Sequence, residues 1–173
     1  SEMCIRDRYW KEFCRRLQGF NTTILYHNRS RHEDAESELN ASYVSFDTLL
    51  EDSDFVVCTA PLTPETENKF NKDAFSKMKN DAILINIGRG AIVDEDALID
   101  ALNNHEIGGC GLDVLREEPI KLNHPLLKME KAVILPHIGS ASVATRDRMI
   151  QLCVDNIAAI LKGEKPLTPI TNK

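Results

Sequence analysis

No apolar run in the sequence approaches the roughly 20 residues that a helical membrane span requires. Basic residues are not in excess either. Lysine and arginine number 21 against 27 aspartates and glutamates, a formal charge of −6. Nucleic acid and anionic membrane both need a basic footprint, so neither is expected as a partner. Paired cysteines are missing as well. Cys4, Cys14, Cys58, Cys110 and Cys153 are odd in number, scattered, and nowhere form C-x-x-C. That excludes a disulfide framework and a structural zinc site, and no metal site is expected. Cys58 and Cys110 lie inside apolar runs, where cysteine behaves as a small hydrophobe. The expected setting is a reducing, cytoplasm-like compartment. Internal repeats and low-complexity stretches are absent, and no G-x-G-x-x-G phosphate loop occurs before Gly19.

What is present is an ordinary globular composition, 42% hydrophobic and 28% charged, enough for one domain with a core. Residues 1–10 fit no periodic pattern. From Lys11 onward, Phe13, Leu17 and Phe20 lie at helical spacing, and Gly19 is a helix stop. Thr23–Tyr26 has the composition of a strand. Phe55–Cys58, Ala82–Ile85 and Val133–Leu135 are near-continuous apolar runs, the pattern of strands buried on both faces of a parallel sheet. Helices are expected over Glu33–Leu39, Lys72–Lys79 and Glu95–Asn103, the last with Asp94 as N-cap. A long helix should run from about Ser142 to Lys162, carrying Met149, Leu152, Ile157 and Leu161. Strands alternating with helices imply a doubly wound α/β fold with a parallel sheet.

Three segments stand at or just past expected strand ends, where open parallel sheets bind ligands. In Leu84-Ile85-Asn86-Ile87-Gly88-Arg89-Gly90, an arginine between glycines can offer its fork to a carboxylate. Gly108-Gly109-Cys110-Gly111-Leu112-Asp113-Val114 sets Asp113 at a strand end, with Glu118 in the following loop. In Ile134-Leu135-Pro136-His137-Ile138-Gly139-Ser140, His137 has the chemistry of a general acid or base near neutral pH. Singly, each has a plainer explanation: a solvated turn, surface acids before a proline, a structural histidine. Together they place a carboxylate clamp and an acid/base pair on one rim.

In order and spacing, Ala60-Pro61-Leu62-Thr63, Asn86-Ile87-Gly88-Arg89-Gly90, Gly111-Leu112-Asp113-Val114, Glu118-Pro119 and Pro136-His137-Ile138-Gly139-Ser140 resemble the D-2-hydroxyacid dehydrogenase family over Lys11 to about Pro169. The glyoxylate/hydroxypyruvate reductase branch is the most similar. The resemblance implies a Rossmann-like fold and hydride transfer between a nicotinamide cofactor and a 2-oxo acid such as glyoxylate or hydroxypyruvate. By the same resemblance Arg89 binds the substrate carboxylate and carbonyl, His137 donates the proton, and Glu118 contacts His137. Asp113 holds the nicotinamide carboxamide, and Pro61, Thr66, Ile87, Gly88 and Gly139 line the cofactor site. At the end of the second family strand stand Asn28, Arg29, Ser30 and Arg31, where an NAD-preferring site usually has an acid for the ribose hydroxyls. Arginine pairs with a 2′-phosphate that a carboxylate would repel, so NADP(H) is favoured, with NAD(H) as the alternative.

Against the family pattern, residues 1–10 form an unmatched segment. Residues 11–140 form a dinucleotide-binding domain without its first strand and Gly-rich loop. Residues 141–173 form a helix and tail that return to a substrate domain absent from the chain. The expectation is an N-terminally incomplete fold, inactive alone, from a parent that is a homodimer. The rival readings are phosphoglycerate or D-lactate dehydrogenase, a dinucleotide-sensing corepressor-like binding module, and a non-functional remnant. The family's formate dehydrogenases carry Gln where Glu118 stands and fit less well.

Overall fold

The computed structural model describes residues 7–169 and divides into two compact units, Ser1–Pro136 and His137–Lys173. In the first unit a helix, α1 (Asp7–Leu17), leads into strand β1 (Ile24–Tyr26), helix α2 (Glu33–Leu39) and strand β2 (Ala41–Tyr43). Helix α3 (Phe46–Asp52), strand β3 (Phe55–Cys58), helix α4 (Lys72–Lys77), strand β4 (Ile83–Asn86), helix α5 (Glu95–Asn103), strand β5 (Gly109–Leu112) and strand β6 (Ala132–Ile134) follow. All the strand pairings are parallel. β1 pairs with β2, and β3-β4-β5-β6 form a four-stranded sheet in sequence order. This is the alternating α/β architecture expected from the apolar runs, although Phe55, Val133 and Leu135 of those runs are exposed rather than buried.

The register of the larger sheet matters for the site. Cys58 pairs with Asn86, Asn86 with Leu112, and Leu112 with Ile134, so these four residues form one row across the sheet. Backbone hydrogen bonds carry the ladder one step further, from Ile87 N to Cys58 O, Asp113 N to Asn86 O and Leu135 N to Leu112 O, at 2.9–3.0 Å. The chain leaves the strands beyond that row, so residues 59–61, 87–89 and 113–118 share one rim.

Side-chain caps start the helices where the sequence changes from loop to helical period. Ser45 accepts from Thr48 N, Asn71 from Ala74 N and Asp94 from Ala97 N, at 3.0–3.2 Å. Each cap satisfies an amide left orphaned at a helix start, worth about 1 kcal/mol. The main core is built from Leu49, Leu50, Val56, Phe70, Phe75, Leu84, Ile92, Leu98, Ile107 and Leu126, all fully buried. Burial of one such side chain stabilises the fold by roughly 1.5–3 kcal/mol.

A second cluster lies around β1 and differs from expectation. Helix α1 begins at Asp7, within the ten residues that showed no pattern. Its buried face is Trp10, Cys14 and half-buried Leu17, whereas Phe20 is 75% exposed. Trp10–Cys14–Leu17 and Phe13–Leu17–Phe20 both step by four and then three residues, so both keep helical spacing. The choice between the faces is tertiary: Trp10 stacks on Tyr26 with ring centroids 5.1 Å apart. β2 and α3 were not anticipated. Among the described residues, no helix is long and apolar enough to cross a membrane, and no group of His, Cys, Asp and Glu could hold a metal ion.

The second unit contains helix α6 (Val143–Leu161), capped by Ser142, whose hydroxyl accepts from Thr145 N at 3.2 Å. Its tail folds back on it. Asn156 donates to Thr168 Oγ1 and accepts from Thr168 N, both at 3.0 Å. Ile150, Val154, Ile157 and Leu161 on this helix are exposed.

Candidate functional site

The rim is tightest after β4. Asn86 is fully buried, and its amide holds the turn that follows. Oδ1 accepts from Gly88 N and Nδ2 donates to Arg89 O, both at 3.0 Å. The two glycines are demanded by neighbouring backbone. A Cβ on Gly88 would lie 2.5 Å from Ala60 O, and one on Gly90 would lie 1.9 Å from Leu115 C. The turn is therefore wedged between the chain leaving β3 and the chain leaving β5, with no room for side chains on either flank of Arg89. Arg89 itself is exposed, and its Nη1 donates to Gly88 O at 2.7 Å. The backbone thus fixes the root of a guanidinium that retains donors for a ligand. Ile87 is 48% exposed beside it, an apolar surface at the sheet edge.

Asp113, next along the rim, is 8% exposed and is anchored through its backbone to Asn86 O. The turn beyond it is clasped by two carboxylates. Glu118 Oε1 accepts from Leu115 N at 2.9 Å, and Glu95 Oε1 accepts from Arg116 N at 2.6 Å. Glu95 belongs to the first turn of α5, and its Oε2 faces His124 Nε2 at 3.4 Å. Because His124 Nδ1 accepts from Leu126 N at 3.3 Å, the neutral ring carries its proton on Nε2, toward Glu95. Asn86 and Glu95 are the positioning residues that sequence reasoning missed. Asn86 lay within a recognised motif but read as part of the strand. Glu95 gave no signal, because its partner amide is 21 residues away.

After β3, Thr66 Oγ1 donates to Pro61 O at 2.7 Å and accepts from Thr63 N at 2.8 Å. Pro61 and Thr66 are therefore brought together, with the threonine closing the turn. The Thr63 hydroxyl holds the Glu65 carboxyl on this turn below its ordinary pKa, and Arg29 adds a smaller electrostatic contribution.

At the end of β1, Asn28 Oδ1 accepts from Arg29 N at 2.9 Å, and Tyr43 OH donates to Asn28 O at 3.1 Å. Arg29 and Ser30 are exposed. Arg31 is engaged: its Nε and Nη2 each reach a Glu36 carboxylate oxygen at 2.8 Å. Tyr26 OH donates to the same carboxylate at 2.6 Å and accepts from His32 N at 2.9 Å. Arg31, then Tyr26, holds the Glu36 pKa down to about 2. Burial, then the Glu36 bond, pushes Tyr26 up to about 12. Of the two arginines expected to meet a phosphate, one is thus already paired within the protein.

His137 and Gly139 belong to the second unit. His137 has a positive φ of 54°, a left-handed backbone that costs a residue with a Cβ about 1–2 kcal/mol. Such strain often accompanies functional positions. The structure thus brings Arg89, Asp113 and Glu118 onto the rim of the first unit, with Ile87 and Gly88, and it places Asn28–Arg31 at the end of β1.

A parallel α/β sheet with polar and glycine-rich turns beyond its carboxyl ends defines a Rossmann-type nucleotide-binding domain. Residues 11–139 match the family model described as D-isomer specific 2-hydroxyacid dehydrogenase, NAD binding domain. The chain belongs to that family. It is 49% identical over 146 residues to glyoxylate/hydroxypyruvate reductase B of Salmonella newport (strain SL254), an alignment covering 84% of this chain and 45% of the relative. The chain thus spans about half the length of the curated relatives it matches. Among solved structures, the NADPH-dependent glyoxylate/hydroxypyruvate reductase of Sinorhizobium meliloti, in complex with NADP and malonate, superposes with a TM-score of 0.87 at 35% identity. That match covers 98% of this chain and 52% of the other. D-lactate dehydrogenase with NAD+ from Lactobacillus jensenii gives 0.85 at 30% identity, covering 94% and 52%.

Proposed function

We propose that this chain is the nucleotide-binding part of an NADPH-preferring reductase of small 2-oxo acids such as glyoxylate or hydroxypyruvate. The observation that carries the reading is the turn after β4. A buried asparagine and two sterically obligatory glycines there present one arginine at the carboxyl end of a parallel sheet. A dinucleotide fits such a rim, because the close-packed Ile87–Gly88 backbone leaves an apolar floor and Asp113 offers a carboxylate for an amide donor. When bound, the dinucleotide supplies the hydride. Ile87 and Gly88 line its site, and Pro61 and Thr66 shape the adjoining turn. Asn28, Arg29, Ser30 and Arg31 surround the ribose, and the exposed guanidinium of Arg29 favours a 2′-phosphate.

Arg89 holds the substrate carboxylate through paired hydrogen bonds and polarises the carbonyl. His137 gives the proton to the carbonyl oxygen, and Glu118 is the carboxylate assigned to the catalytic set. The parent is taken to be homodimeric and to work in a reducing, cytoplasm-like compartment.

A chimera tests the proposal: residues 11–139 replace the matching segment of the Salmonella newport reductase, and NADPH oxidation is followed with glyoxylate and with hydroxypyruvate. Turnover that Arg89→Ala abolishes is expected. A folded chimera that binds NADPH yet reduces neither acid would overturn the assignment.

A further inference from the structure

We infer that Glu36 sets the strength of cofactor discrimination at the end of β1, by neutralising Arg31 and leaving Arg29 as the charge that reads a 2′-phosphate. This rests on the reading that the loop Asn28–Arg31 receives the ribose.

The geometry leaves Glu36 little freedom. Its carboxylate is gripped from one side by the Nε and Nη2 fork of Arg31, at 2.8 Å each, and from the other by Tyr26 OH at 2.6 Å. Tyr26 is itself fully buried and stacked on Trp10. A chain of contacts therefore runs from the core through Tyr26 and Glu36 to Arg31. Two of the five guanidinium N–H groups are committed to Glu36, and the pair carries no net charge. Arg29 differs. Among the described residues its guanidinium has no ion pair within 4.0 Å, and Glu65 reaches it only as a weaker electrostatic neighbour. A phosphate approaching this loop meets one uncompensated cation where the sequence shows two.

Glu36 lies in α2, outside the arginine-bearing loop, and it acts on the ligand through Arg31. It is a specificity-determining positioning residue. Removing its charge with little change of shape frees the second cation. The gain falls on ligands that carry the 2′-phosphate and not on those with a 2′-hydroxyl.

The test uses the purified chain and calorimetric titration with two probes, adenosine 2′,5′-bisphosphate and 5′-AMP, at low salt. The readout is the ratio of their affinities. Wild type should prefer the bisphosphate, and Arg29→Ala should remove most of that preference. Glu36→Gln should raise the ratio about three- to tenfold, with 5′-AMP binding unchanged, the size of one added exposed charge-assisted contact. The gain should shrink as salt screens it. Arg31→Ala should lower the ratio less than Arg29→Ala does, and adding it to Glu36→Gln should cancel the gain. A wild-type chain with no bisphosphate preference removes the ribose-loop reading, and the inference with it. A wild-type preference that Arg29→Ala abolishes but Glu36→Gln leaves unchanged or lowers overturns the inference alone. If Glu36→Gln weakens both probes together, Arg31→Ala decides. A loss as large as that of Arg29→Ala shows that Arg31 already carries its full charge, and it too overturns the inference.

Discussion

The glycines of the sheet rim should respond to alanine in a graded order set by what each new Cβ would meet. At Gly90 the nearest atoms are Leu115 C at 1.9 Å and Leu115 O at 2.0 Å. Ordinary contacts of this kind exceed 3.4 Å, so one strand of backbone must move by more than an ångström. At Gly88 the nearest atom is Ala60 O at 2.5 Å, again backbone. At Gly111, on β5, the nearest is Ile85 Cγ1 at 3.9 Å, an ordinary contact. None of the three has a positive φ, so conformational strain does not enter. Overpacking costs typically 1–3 kcal/mol, and Gly90→Ala should reach the top of that range at about 3 kcal/mol. Gly88→Ala should cost about 1–3 kcal/mol. Gly111→Ala should be neutral or stabilising by about 0.4–1 kcal/mol, because alanine restricts the unfolded chain. In a chain of this size each kcal/mol moves the melting midpoint by about 2–4 °C, so Gly90→Ala should lose roughly 6–12 °C. Thermal unfolding followed by circular dichroism measures all three. If Gly90→Ala melts with the wild type, or Gly111→Ala falls below Gly88→Ala, the wedged turn is wrong.

Asn86→Ala should destabilise the chain by about 1–3 kcal/mol, because the Gly88 amide and the Arg89 carbonyl lose their buried partner; denaturant unfolding checks it. The Tyr26–Glu36–Arg31 network should fail at both pH extremes. Glu36 is depressed to about 2, so its contribution is present above the ordinary value of 4.5 and fades as pH falls toward 2. Tyr26 is raised to about 12, so its contribution is full below 10 and disappears as pH rises through 12. Ultraviolet titration of tyrosinate in wild type and Tyr26→Phe should isolate that late ionisation, and an ordinary midpoint would contradict the buried placement. Thiol labelling at mild alkaline pH, mapped by mass spectrometry, should modify exposed Cys153 and spare Cys14 and Cys110. Equal labelling would show that the clusters around them are open.

The parts of the fold that were legible had a repeating physical signal. In Phe55–Cys58 the last three residues are buried and Phe55 is exposed, and Glu95–Asn103 combines a helical period with the Asp94 cap. β2 has three residues, of which Ala41 alone is buried, too little pattern to register. α3 has seven residues, as many as α2, and its Ser45 cap is the local signal that marks it. Around α1, Phe13–Leu17–Phe20 and Trp10–Cys14–Leu17 both keep helical spacing, and the stacking of Trp10 on Tyr26 selects the second set. The site divides in the same way. Arg89 stood out because glycines flank it. The clasp of Glu95 on Arg116 N and the fork between Arg31 and Glu36 join separate elements, and local spacing does not report such pairings.

The most direct test of the proposed catalytic set is 2-oxo acid reduction by the chimera carrying residues 11–139, with and without His137→Ala. A general acid typically contributes about 10²–10⁴-fold to the rate. If His137 gives the proton to the carbonyl oxygen, its loss should slow reduction by about that factor while NADPH binding barely changes. A variant that reduces either acid as fast as the unaltered chimera would show that His137 is not the proton donor and would contradict the proposed catalytic set.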